Sequence, residues 1–278
     1  MARCIDVVSP RGRFAWSRGA AQTASTVLRA LLVLLALVWA PAASAQCLGD
    51  GVQLFPTPGA VVPTNTRFLL EGVGTARSPV SALPGRTVRL SAPGHSVELK
   101  VTRGWESSLG RVTVVLQASE PLQPGKRYEM HLDSVLPNVT LLNGRGSGLP
   151  GWLTGKGPDK SPPLWQKKPA VSEGFFRRSA QGISRFVKLN LALREESPSY
   201  LVVRLTPRRA GIAPQTYVLP VVQGNAAFLG HESCGGAFAL EDGRSYRARV
   251  DAFDAAGNPA PGTASVDFEA PSAQTAQQ

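Results

Sequence analysis

His231 and Cys234 stand three residues apart in His231-Glu232-Ser233-Cys234-Gly235-Gly236, a spacing that lets an imidazole and a thiolate reach one metal ion. A zinc site needs three or four ligands, and His95 and His131, the other two histidines, bring no second such pair. No metal and no cofactor is therefore expected. Asp251, Asp254 and Asn258 could hold calcium together with backbone carbonyls. The same Asx residues around Gly257 also suit a plain turn. Glu195-Glu196 and Glu241-Asp242 put acids side by side in loops, whereas glycoside cleavage needs two carboxyls held apart across a cleft. The chain carries no G-x-S-x-G elbow, H-E-x-x-H pair or Walker-type loop, so catalysis is not expected. Asn138-Val139-Thr140 matches a glycosylation sequon.

Two further groups of side chains are suited to binding rather than to bond chemistry. Trp105, Trp152, Trp165, Phe175 and Phe176 offer rings for stacking on sugars or cations. Trp152 and Trp165 flank a Gly- and Pro-rich stretch, which places them between two domains to cover an apolar seam. From Lys156 to Lys188 eight basic residues, Lys167, Lys168, Arg177 and Arg178 among them, meet only Asp159 and Glu173, a local charge of +6. A band of this kind attracts an acidic surface or simply keeps a connection solvated.

The charge outside that band is nearly balanced once the N-terminus is set aside. Arg3, Arg11, Arg13, Arg18 and Arg29 precede an apolar run from Ala30 to Ala40, and Pro41 and Ala42-Ala43-Ser44-Ala45 follow. This is the pattern of a signal peptide, residues 1–45, with cleavage after Ala45. The apolar run is shorter than the roughly 20 residues of a transmembrane helix, so no spanning segment is expected after cleavage. An uncleaved N-terminal anchor is the alternative. The full chain has 30 Lys and Arg against 19 Asp and Glu; removing residues 1–45 leaves 25 against 18, or +7. Export implies an oxidising compartment, where an even pair of cysteines usually bridges. Cys47 and Cys234 are that pair and are expected to form a disulfide, with an intermolecular bridge or two free thiols as alternatives.

What must position all of these is a set of strands. Val97, Leu99 and Val101 alternate with Glu98 and Lys100; Val112, Val114 and Leu116 with Thr113; Tyr128, Met130 and Leu132 with Glu129, His131 and Asp133. Each is a strand with one buried face and one wet face, and by this parity His131 points to solvent. A loop is expected from Gly72 through Pro84, and a connection over residues 146–163, rich in Gly and Pro. Beyond it Val187 to Arg194, Leu201 to Leu205, Tyr217 to Val222, Ala226 to Leu229, Tyr246 to Phe253 and Ala264 to Phe268 read as strands. The domains are thus 46–155 and 160–270, with a disordered tail at 271–278. Leu122 to Tyr128 and Leu240 to Tyr246 share L-x-x-G-x-x-Y ahead of an alternating strand. A tyrosine there, its hydroxyl turned back onto the preceding loop, is the tyrosine corner of Greek-key sandwiches, assigned to Tyr128 and Tyr246.

These motifs carry a resemblance. Leu54 to Gly72 (LFPTPGAVVPTNTRFLLEG) and Pro121 to Met130 (PLQPGKRYEM) resemble the Ig-like domains of bacterial surface-layer and other exported proteins. The run GRSYRARVDAFDAAGNPAP, ending at Pro261, resembles a fibronectin type III or related Ig-like domain. The resemblance implies an all-β protein, two consecutive Ig-like/fibronectin III-like β-sandwiches after a signal peptide, and it brings no catalytic residues with it. The expected role is a non-catalytic exported binding module in the periplasm, at the cell surface or outside the cell. Its basic band (Lys167, Lys168, Arg177, Arg178) would contact an envelope protein or anionic polysaccharide, with no specific nucleic acid. A structural spacer or assembly subunit of an envelope complex is the alternative, and a hydrolase with a loop-built site a further one.

Overall fold

The computed structural model describes residues 49–144, 148–209, 211–233 and 235–273. The signal peptide, Cys47, Cys234 and residues 274–278 lie outside them. Among the described residues no helix is long and apolar enough to cross a membrane.

The first half is one continuous eight-stranded sheet. Its strands are β1 (Gly51–Phe55), β2 (Val61–Val62), β3 (Arg67–Val73), β4 (Thr87–Ala92), β5 (His95–Glu106), β6 (Arg111–Ala118), β7 (Arg127–His131) and β8 (Gly151–Thr154). Their order is β1-β3-β6-β5-β4-β7-β8-β2. β1 and β2 lie at opposite edges of the sheet yet are separated by only residues 56–60, so the sheet has curled until its edges are close. Strand β5 makes the fold possible. Its first half pairs with β4, its second half with β6, and the register shifts between Val101 and Arg103. A bulge of this kind sharpens the local twist and lets one strand serve two layers. Val52, Leu90, Leu99, Leu116, Tyr128 and Trp152 share the enclosed core.

Two expectations are corrected here. The supposed loop after Gly72 contains a 3-10 turn, Gly74–Ala76, and a short helix α1, Arg77–Ser81. Ala76 and Val80 are buried and Leu83 seals the core beside them. A side chain at Gly72 would meet the Ala76 carbonyl at 2.7 Å and a Val80 methyl at 2.8 Å, so glycine is what lets α1 lie against β3. The Gly- and Pro-rich connection is also shorter than expected, since β8 adds Trp152 to the first core; its indole Nε1 donates to the Pro56 carbonyl at 2.9 Å. Trp152 therefore fills a sandwich interior rather than a seam.

The second half is a sandwich of two four-stranded sheets. The strands of this half are β9 (Leu164–Trp165), β10 (Ala170–Ser179), β11 (Gly182–Asn190), β12 (Leu193–Arg194), β13 (Ser199–Pro207), β14 (Gln215–Pro220), β15 (Ala226–Glu232), β16 (Gly235–Gly236), β17 (Ser245–Asp254) and β18 (Ala264–Glu269). One sheet runs β10-β11-β15-β16, the other β14-β13-β17-β18, and β9 pairs with β12. Leu189, Val203, Leu205, Leu229, Phe238 and Val250 meet between them. Trp165 packs on this core, a second departure from the seam expected of it. The break between β11 and β12 falls at Ala192, whose φ is +43°. Of the supposed tail, Pro271 is buried, and a side chain at Gly174 would meet its ring.

All described residues belong to one compact unit, because the two halves share a third apolar cluster. Phe55, Leu69 and Val115, on the outer face of the first sheet, meet Tyr200, Val202 and Val218 on the outer face of β13 and β14, with Trp105 and Phe253 beside them. The expected wet face of β6 is therefore dry: Thr113 is 2% and Val115 3% exposed. Six such side chains contribute on the order of 10 kcal/mol before the cost of ordering them.

Candidate functional site

The basic band lies on an edge strand. β10 pairs with β11 along its whole length and has no strand on its other side. This ten-residue strand went unread as a strand because Ser172, Glu173, Gly174, Arg177 and Arg178 break any apolar alternation; both of its faces are largely exposed. Lys167 and Lys168, in the loop before it, and Arg177 and Arg178 on it are exposed. Among the described residues none of the four makes an ion pair, whereas Lys188 reaches Glu173 at 3.0 Å. Arg185 leaves the band altogether. Its side chain is only 7% exposed, donates to the Leu240 carbonyl at 2.7 Å and to Asp242 at 2.5 Å, and lies over the Phe176 ring.

Phe175 stands on the outer face of the same sheet, stacked on Phe186 with ring centroids 4.6 Å apart. Phe186 in turn meets Phe228 edge-on at 5.6 Å. Next to Phe228 a cleft of about 310 Å³ opens towards the first sandwich, with Phe186, Leu219, Gly230, His231 and Arg111 in its walls.

Tyr128 and Tyr246 hold equivalent places in the two halves. The Tyr128 hydroxyl accepts the Gln123 backbone N–H at 3.0 Å, and the Tyr246 hydroxyl accepts that of Glu241 at 3.0 Å. Tyr128 also contacts His95 Nδ1 at 2.6 Å. Burial pushes the Tyr246 phenol upward.

Polar contacts bind the two halves together. The Tyr217 hydroxyl donates to Glu71 Oε1 at 2.9 Å. With its proton committed there, it accepts from Thr113, also at 2.9 Å. Arg111 lies 3.6 Å from the other Glu71 oxygen. Burial raises the Glu71 carboxyl above its ordinary value despite Arg111, and burial together with the nearby carboxylate drives Tyr217 far upward. Nothing in the alternation of β3 distinguishes Glu71, which the second sandwich covers from outside, whereas Tyr217 belongs to the second core and reaches Glu71 with its hydroxyl. Ser107 donates to the Gly236 carbonyl at 2.6 Å, a further link across the seam.

The acidic loop candidates resolve as turn structure. Asp254 is buried and accepts the backbone N–H and the side-chain amide of Asn258, at 2.8 and 2.7 Å, with its pKa raised by burial. Asp251 accepts from Thr263 at 2.5 Å. This turn also docks on the first half: the Arg67 N–H donates to the Ala255 carbonyl at 2.6 Å. Asn258 and Asn65 both donate to the Asp159 carbonyl, at 3.1 and 2.8 Å, and so hold the connection between the halves. His131 lies on the solvent side of its strand with Ser91 Oγ 2.5 Å from Nε2. His231 Nε2 faces the Leu240 carbonyl at 3.4 Å. Its expected neighbour Cys234, and with it the bridge to Cys47, falls outside the described residues.

No family model matches the chain, and no curated protein does. Solved structures do. The chain is similar over 80% of its length to a pullulanase type I from Bacillus subtilis, crystallised with maltose, at 8% identity and a TM-score of 0.22. Over 88% of its length it is similar to the N-terminal part of a bacterial S-layer protein, at 11% identity and a TM-score of 0.24. An alpha-2-macroglobulin from E. coli aligns over 82% of the chain, at 11% identity and a TM-score of 0.20. The chain spans 25% of that pullulanase, 48% of the S-layer fragment and 14% of the macroglobulin.

Proposed function

We propose that this chain is a non-catalytic, exported binding module of the cell envelope, built from tandem Ig-like and fibronectin III-like sandwiches, whose basic edge engages an anionic partner. The observation that carries the reading is the contrast within the band. Arg185 and Lys188 are taken up by Asp242 and Glu173, while Lys167, Lys168, Arg177 and Arg178 are exposed at an open sheet edge and make no ion pair among the described residues. Uncompensated charge on one edge raises the local concentration of polyanions and their rate of encounter. The strand order of the second half, β10-β11-β15 with the two-residue β16 at its edge against β14-β13-β17-β18, supports the fibronectin III-like assignment.

A second reading, a spacer within an envelope assembly, draws on the buried seam. An apolar cluster and the Tyr217–Glu71 bond join the two halves as one unit instead of two tethered beads.

The test is retention of the chain on an immobilised anionic polysaccharide, eluted with salt. Retention at low salt, lost when Lys167, Lys168, Arg177 and Arg178 are all changed to Gln, supports the binding module. Elution of wild type in the void at every salt concentration, with envelope proteins co-purifying, favours the spacer.

A further inference from the structure

Exposed aromatic rings on a sheet face usually have something to cover, and one of the three rings here does. Phe186 lies directly across from Gly230 in the β11–β15 ladder and shields bare backbone. Phe175 and Phe228 flank it and keep 41% and 43% of their surface exposed, two of the few large apolar side chains that do so. The three rings form one row across three adjacent strands, about 10 Å from end to end at the ordinary spacing of strands. A contiguous apolar patch of this kind on a soluble face marks a contact surface.

One end of the row carries an unpaired cation. Arg177 stands two residues after Phe175 on the same face of β10 and makes no ion pair among the described residues. At the other end lies the cleft of about 310 Å³ beside Phe228, with both Arg111 and Glu232 in its wall. Arg111 faces Glu71 at 3.6 Å and its unpartnered Nε is buried, so the cleft offers room for a side chain and no free positive charge. Guanidinium groups set against apolar walls favour carboxylates, which they grip in a fixed planar geometry.

We infer that the outer face of the β10-β11-β15 sheet docks an acidic polypeptide segment, an extended chain that lays an apolar side chain on the Phe175–Phe186–Phe228 row and sets a carboxylate at Arg177. The inference rests on the reading of the basic edge as the contact for an anionic partner, and it names that partner's chemistry. Charge alone is met by any polyanion, but the phenylalanine row is matched only by a partner that also brings apolar surface. The cleft favours a polypeptide over a lipid surface, because a bilayer would bridge the opening without filling it. In an extended chain, residues i and i+2 share one face and lie roughly 7 Å apart. That is the spacing of Phe175 and Arg177 along β10, so a partner strand can cover the ring and meet the guanidinium with residues two apart.

The experiment uses the full chain and three fluorescein-labelled peptides: Asp-Ser-Phe-Ser-Asp, a charge-only form with Ser in place of Phe, and a neutral form with Asn in place of both Asp. Fluorescence anisotropy is expected to show the first binding at least tenfold more tightly than either of the others. The double variant Phe175→Ser with Phe228→Ser, melting as wild type does, should abolish that preference, and Arg177→Gln should weaken the first peptide severalfold. Equal binding of the first and charge-only peptides overturns the inference and leaves the basic-edge reading standing on its polysaccharide retention. Absence of binding by all three overturns it as well. Phenylalanine-dependent sedimentation with phosphatidylglycerol vesicles, without peptide binding, would assign the face to lipid instead.

Discussion

The hydroxyl of Tyr217, on β14 of the second sandwich, donates a 2.9 Å hydrogen bond to the carboxylate of Glu71, on β3 of the first. Tyr217 and Thr113 are buried and Glu71 mostly so, and this bond and the one from Thr113 join two sheets across a largely covered seam. Tyr217→Phe leaves both partners without it, which costs about 1–3 kcal/mol for buried polar groups. Urea unfolding should move to lower concentration by that amount. Limited proteolysis should cut faster between residues 156 and 163 as the halves loosen.

The same carboxylate makes stability depend on pH. Burial raises the Glu71 pKa above its unfolded value of 4.5, with Arg111 offsetting only part of the shift. The folded state thus keeps a proton that the unfolded chain has released. Stability from this group is full below pH 4.5 and is lost as pH rises through the raised folded value. Glu71→Gln, neutral throughout, should gain on wild type as pH climbs from 4.5 towards neutrality. Melting temperatures of the two proteins across that range check it, and a constant difference would contradict the assignment.

Tyr128 and Tyr246 close equivalent loops, and their substitutions should differ in a predictable order. Tyr246→Phe strands one backbone N–H, that of Glu241, at a cost of about 1 kcal/mol. Tyr128→Phe strands the Gln123 N–H and also removes the contact with His95 Nδ1, so its cost should be the larger. Denaturant midpoints of the two single variants give the comparison directly.

The proposed export to an oxidising compartment predicts that Cys47 and Cys234 are bridged. Alkylation without reduction, followed by mass measurement, should add no alkyl group to either residue of the processed chain. Two alkylated thiols would refute the bridge.

The alternating runs were legible because their parity was set inside each sandwich. Leu99, Leu116, Tyr128, Val203, Val250 and Phe268 all point inward, as a period of two requires. The same parity misplaced Thr113 and Val115, because it takes one face of a strand to be wet, and here a second sandwich covers it. Trp152 was misplaced for the opposite reason. Its Gly- and Pro-rich surroundings read as connection, but four residues sufficed for β8 to pair with β7 on one side and β2 on the other. β10 escaped notice because an edge strand exposed on both faces has no apolar period to reveal it.

By itself, then, the sequence determined the fold class, the two L-x-x-G-x-x-Y turns and the position of the basic band along the chain. These are local properties, carried by alternation, turn residues and charge that neighbours in sequence share. Tertiary structure alone decided that Arg185 and Lys188 are paired while Lys167, Lys168, Arg177 and Arg178 are not. It alone also set Phe175, Phe186 and Phe228 in one row and buried Glu71 beneath Tyr217. Those relationships join residues from strands far apart in the chain, and strand pairing and the packing of one sheet on another bring them together.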